Sequence, residues 1–123
     1  MNTQGKPKNF KDLLVWQRGI QLVKDTYLLT ESFPTEEKFR LVSQMRRAAV
    51  SIPSNIAEGQ ARNTTGEFIQ LLAIAQGSLA ELETQLIASV ELGFCTVEST
   101  MHISADILQL RKMLYALCSK LST

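Results

Sequence analysis

"SQMRRAAVSIPSNIAEGQAR", residues 43–62, decides how this chain is read. Val42, Met45, Ala49, Ile52 and Ile56 recur every three or four positions, the mark of one apolar helical face. Pro53 stands in the middle of that pattern. It lacks the N–H that would bond back to Ala49, and its ring crowds the Ala49 carbonyl. The apolar spacing nevertheless passes through Pro53 without a phase shift. The segment is therefore predicted to be one long helix kinked at the proline and held by its neighbours, rather than two helices breaking at Ile52. Beside the apolar face runs a stripe of Gln44, Arg47, Ser51, Asn55 and Glu58, with Arg46 at the flank of the seam.

Three further segments share the helical period. Upstream, from about Asp12 to Leu29, Leu13, Trp16, Ile20, Val23 and Tyr27 alternate by three and four, and Asp12 is placed to cap the start. Pro34 in "SFPT" stops that helix, and Thr35 is positioned to cap the next, with Glu36 and Glu37 at its positive end. Downstream, Thr64 and Glu67 in "TTGE" have the spacing of a capping box. Phe68, Leu72, Ala75, Leu79, Leu82 and Leu86 follow as a stripe, and Gly93 is the expected C-terminal stop. In the fourth segment Thr96 is the cap, and Ile103, Ile107, Leu110, Leu114, Leu117 and Leu121 form the seam. No segment shows period-two alternation. The expectation is an all-α fold, an antiparallel up-down-up-down four-helix bundle over residues 11–121, preceded by a mobile N-terminal arm over residues 1–10.

Bulk composition agrees with one soluble globular domain: 123 residues, 45% hydrophobic and 20% charged, enough chain to bury a core unaided. No apolar run approaches the roughly 20 residues of a membrane helix, and "MNTQGKPKNF" lacks the apolar core of a secretory signal. Cys95 and Cys118 have no metal-ligand spacing and read as reduced thiols, so a cytoplasmic location is expected. The net charge of +1 hides an asymmetry. Residues 1–62 carry 10 Lys and Arg against 6 Asp and Glu, whereas residues 63–123 carry 3 against 6. A basic first half fits an acidic partner or the association of opposite patches.

Catalytic constellations are absent from the pattern. His102 is the single histidine, with no carboxylate and cysteine cluster around it in sequence, and reads as solvated rather than as a ligand or base. The Glu-x-x-His pairs of di-metal bundles do not occur. "EGQARNTTGE" lacks both the spacing and the lysine of a phosphate-binding loop. No catalytic residue, metal or cofactor is expected, and no enzyme. The stripe on the second helix reads instead as contact surface. Ala48, Ser51 and Asn55 are small enough to let another helix approach. Leu14, Leu22 and Leu29 on the outer side of the first helix, with Ile69 and Ile87 on the third, point to burial beyond a single bundle and so to self-association. Arg47 and Glu58 share a face but stand too far apart to bond to each other; each is expected to meet an opposite charge elsewhere, Glu81 on the third helix being the mate proposed for Arg47.

"FKDLLVWQRG", "FP", "QMRRAAVSIPSNIAEGQAR", Phe68 and "GSLAELETQL" resemble, in order and spacing, the four-helix bundle family first noted in intervening sequences of bacterial large-subunit rRNA genes. The likeness spans about residues 10–121, and "RRAAVSIPSNIAEG" is its specific motif. Gly19 departs from it, standing where the family often has Ala. The resemblance implies a ring-shaped homopentamer and kinship with the accessory protein of diversity-generating retroelements, a similar pentamer that works with a reverse transcriptase and binds nucleic acid. It implies no reaction. The expected function is thus a non-enzymatic oligomer contacting the RNA or DNA backbone through Lys11, Arg18, Arg40, Arg47 and Arg62, with Lys6 and Lys8 on the arm. Repetition around a ring would multiply weak phosphate contacts. Trp16 and Phe68 belong to the core, which leaves few aromatics for stacking. The alternative is a protein-interaction scaffold that binds no nucleic acid.

Overall fold

A computed structural model describes residues 9–123. Lys6 and Lys8, and residues 1–8 of the arm expected over residues 1–10, lie outside the described residues. Four helices follow one another: α1 (Leu14–Thr30), α2 (Leu41–Gln60), α3 (Thr65–Glu91) and α4 (Val97–Ser122), with short 3-10 turns at Phe10–Asp12 and Thr35–Glu37 and no strand among the described residues. Each helix packs on its neighbours in sequence, and α1 closes the ring against α4. Phe33 and Phe94, from the first and third loops, meet with ring centroids 5.7 Å apart. Those two loops therefore share one end, as an up-down-up-down bundle requires.

The ends of the helices show which cap signals operate. Thr64 and Glu67 form the expected capping box on α3, and Thr96 forms one with Ser99 on α4. Gly93 has φ +79°. The Gly93 N–H bonds to the Val90 carbonyl and the Phe94 N–H to the Ser89 carbonyl, a Schellman closure that a left-handed residue permits. Two expected caps fail. Asn9, not Asp12, caps the first turn, and α1 starts one step later with Leu13 as an uncapped N-cap. Thr35 opens only a 3-10 turn, and α2 begins at Leu41 after the chain has turned again at Arg40.

The seams of α2 and α3 are buried where the period places them, and that of α4 is buried as far as Leu114, with Leu117 and Leu121 half-buried. Val42, Met45, Ile52, Leu72, Leu82, Ile107 and Leu114 belong to one core. The first helix is different. Its buried line is Val15, Gly19, Leu22, Thr26 and Thr30, whereas Ile20 and Tyr27, expected inside, are exposed, and Leu22, expected outside, is 0% exposed. The reason is that two of the buried positions are threonines whose hydroxyls bond back to the Leu22 and Thr26 carbonyls, each at 2.8 Å. Their polar atoms are thus satisfied without water.

Pro53 lies inside the continuous helix α2 and is buried. Gly19 explains how α1 accommodates it. A Cβ at Gly19 would stand 3.3 Å from the Pro53 Cβ and 3.4 Å from its Cδ, so the missing side chain lets the proline ring seat directly on α1. On the other side of α2, Ser51 Oγ lies 2.8 Å from Ser78 Oγ on α3. Asn55 Nδ2 donates to the Ser51 carbonyl at 2.7 Å and to its Oγ at 2.9 Å. The side-chain donor beside the proline thus goes to Ser51, not to the Ala49 carbonyl. These small residues bring three helices together at the level of Pro53.

A basic and aromatic groove and a histidine–carboxylate cluster

A surface depression of about 570 Å³ runs along α2 where it meets the end of α1. Its lining brings Lys38, Arg46 and Arg47 together with Tyr27, Phe39 and Val50. Arg46 is held in place. Its Nε donates to Thr30 Oγ1 at 3.0 Å, a second guanidinium nitrogen donates to the Tyr27 carbonyl, and the guanidinium lies 4.3 Å from the centre of the Tyr27 ring. Such stacking keeps the full charge while fixing its position. Arg47, one residue on, is exposed and free of any ion pair among the described residues. Phe39 is 86% exposed, with the Lys38 ammonium 5.6 Å above its ring. The groove therefore offers two exposed cations, one fixed cation and two exposed aromatic rings, each met by a cation on one face.

The residues singled out from sequence do not form one face. Arg47 lines the groove, and Arg40 is exposed beside it at the N-terminus of α2. Lys11 is exposed in the first 3-10 turn, and Arg18 lines a separate cleft between α1 and α4. Arg62, two residues beyond α2, is engaged by Glu58 at 2.6 Å, so Glu58 finds its mate just past the end of its own helix rather than on another. The Arg47–Glu81 pair does not form. Glu81 is exposed, and Arg111 of α4 instead bonds Glu83 at 2.6 Å. Gln44 is exposed, while Ser51, Pro53 and Asn55 make the helix contacts described above. Sequence reading passed over Phe39 and Lys38, and it placed Tyr27 in the core. The signal for Phe39 was its position between Lys38 and Arg40 with no helical seam to join.

A second constellation lies across the bundle. His102 on α4 points between two carboxylates, its Nε2 standing 3.4 Å from Asp25 Oδ2 on α1 and 3.4 Å from Asp106 Oδ2 one turn along α4. The imidazole is 72% exposed, but the Asp25 side chain is only 15% exposed. Gln21 donates to Asp25 Oδ1 at 3.1 Å, which leaves Oδ2 buried and without a hydrogen-bond partner. The His102–Asp106 spacing was visible in the sequence, whereas Asp25 joins only through the packing of α1 on α4.

No helix is long and apolar enough to cross a membrane among the described residues. No curated protein matches the chain. Among solved structures, the chain is similar to a protein of unknown function from the S23 ribosomal protein family of Bacteroides thetaiotaomicron. That likeness has a TM-score of 0.77 at 22% identity, covering 85% of this chain and 98% of the other, and it supports the fold. The model of the 23S rRNA-intervening sequence protein family matches residues 11–116, from the turn before α1 to the last turns of α4. With three whole helices, most of α4, the buried proline and the "RRAAVSIPSNIAEG" motif inside that span, the chain belongs to the 23S rRNA-intervening sequence protein family.

Proposed function

We propose that this protein is a non-enzymatic, self-associating bundle that binds single-stranded nucleic acid, RNA in the first instance, in the groove between α2 and the end of α1. One observation carries the reading: Lys38, Arg46 and Arg47 share a groove with the exposed rings of Tyr27 and Phe39. Cations beside accessible aromatic faces suit a strand whose phosphates and unpaired bases are presented together. Such a surface reads backbone and stacking rather than sequence. Each protomer offers few contacts, so useful affinity would come from repetition in an oligomer. The resemblance noted above implies a homopentamer, of about 68 kDa for a 13.7 kDa chain. Free thiols at Cys95 and Cys118 fit a cytoplasmic setting.

The test is filter binding of a short unstructured RNA to the wild type and to Lys38→Glu with Arg47→Glu. The doubly reversed protein should keep its helicity and oligomer mass and lose binding; equal binding would reject the groove. A second reading draws on the apolar share of the same lining, Phe39, Val42 and Val50, which also suits a protein partner. Under that reading the wild type would bind no RNA at any salt concentration.

A further inference from the structure

We propose that Asp25, His102 and Asp106 form a site for one divalent transition-metal ion, with zinc the best fit, clamping α1 to α4. The site is independent of the nucleic-acid groove and lies on another side of the bundle. The three donor atoms lie within 4.8 Å of one another. With ligand bonds of about 2.0–2.2 Å, neighbouring donors of a tetrahedral zinc stand about 3.4 Å apart. Both contacts of His102 Nε2 with the carboxylates have that length, 3.4 Å. A direct charge-assisted hydrogen bond would be shorter, about 2.7–2.9 Å. The separations thus match two donors sharing a cation better than a donor and its acceptor.

Asp25 Oδ2 supplies the independent observation. It is buried without a hydrogen-bond partner, and a buried carboxylate oxygen left in that state is costly unless an ion or water meets it. Gln21 holds the other oxygen of the same carboxylate at 3.1 Å, the kind of outer bond that orients a metal ligand. One imidazole and two carboxylates are a borderline donor set that suits zinc and its first-row neighbours better than calcium, which takes six to eight oxygens. The exposed side of His102 leaves the fourth position to water. Arg18 lines the cleft next to His102 and Asp106 but bonds none of the three.

The experiment is calorimetric titration of the metal-stripped full chain with zinc chloride alone, followed by cobalt substitution. The site predicts saturation at one zinc per chain and a rise in Tm with free zinc, because the ion binds the native state. Asp25→Asn and His102→Gln should each weaken binding by roughly tenfold or more while circular dichroism shows unchanged helicity. Cys95→Ser with Cys118→Ser should leave binding intact, and the cobalt spectrum should lack a thiolate charge-transfer band. No saturable binding at micromolar zinc would overturn the proposal, as would binding that survives His102→Gln or disappears with the cysteines. Failure here would leave RNA binding by Lys38 and Arg47 untouched, so the two readings fail separately.

Discussion

Gly59 shows how closely single residues are fitted. A Cβ there would stand 2.8 Å from Phe68 Cδ1 and 3.1 Å from Leu71 Cβ, so the α2 backbone lies directly against α3 side chains just before the loop that joins the two helices. Gly59→Ala should gain about 1 kcal/mol in helix propensity and lose more by overpacking, which typically costs about 1–3 kcal/mol. Urea unfolding should therefore show a net loss of stability; a gain would mean that the contact is looser than these distances imply. Glu81→Gln, by contrast, should change the unfolding free energy by less than about 0.5 kcal/mol, as expected for an exposed residue without a partner. The thiols provide a chemical test at the same scale. Burial raises the Cys95 and Cys118 pKa values above the ordinary thiol value, against smaller lowering by hydrogen bonds with Ser99 and Gln76 respectively. Both are thus protonated near neutrality and should react with iodoacetamide more slowly than a free thiol, with the rate rising only at more alkaline pH. Fast labelling at pH 7 would contradict that environment.

At the scale of the helix, legibility followed chemistry. The seams of α2, α3 and α4 could be read because the residues that pack there are Val, Leu, Ile and Met. The seam of α1 could not, because it is built from Gly19, Thr26 and Thr30 alongside Val15 and Leu22. Apolar periodicity is blind to a hydroxyl that satisfies itself on the preceding turn and to a glycine whose role is to admit Pro53. The candidate site was less legible still. Arg46 and Arg47 are adjacent in sequence, but Tyr27 and Thr30 reach them only when α1 packs on α2, and Asp25 reaches His102 only across the α1–α4 contact. Helix α4 also carries a second stripe. Met101, Leu108 and Tyr115 are exposed at seven-residue intervals, a spacing that keeps them on one face, opposite in character to a solvated surface. If that face joins protomers, Leu108→Glu with Tyr115→Glu should lower the mass measured by light scattering and leave helicity intact. An unchanged mass would move the interface elsewhere, for instance to Ile74 and Ile87 on α3.

Across the whole molecule, the bundle places its two polar clusters on separate sides. The groove with Lys38, Arg46 and Arg47 faces outward from α1 and α2, and the histidine–carboxylate cluster sits between α1 and α4. The proposed binding by repeated cationic grooves would need only that copies be held together. The central claim is that the groove binds nucleic acid through phosphate neutralisation. Its most direct test is the affinity of the protein for a short unstructured RNA, one groove long, measured across salt concentrations. Neutralising three phosphates on a single strand predicts a fall of log Kobs with log salt of slope roughly −2, and no measurable binding for Lys38→Glu with Arg47→Glu. A slope near zero, or no binding at low salt, would contradict the account.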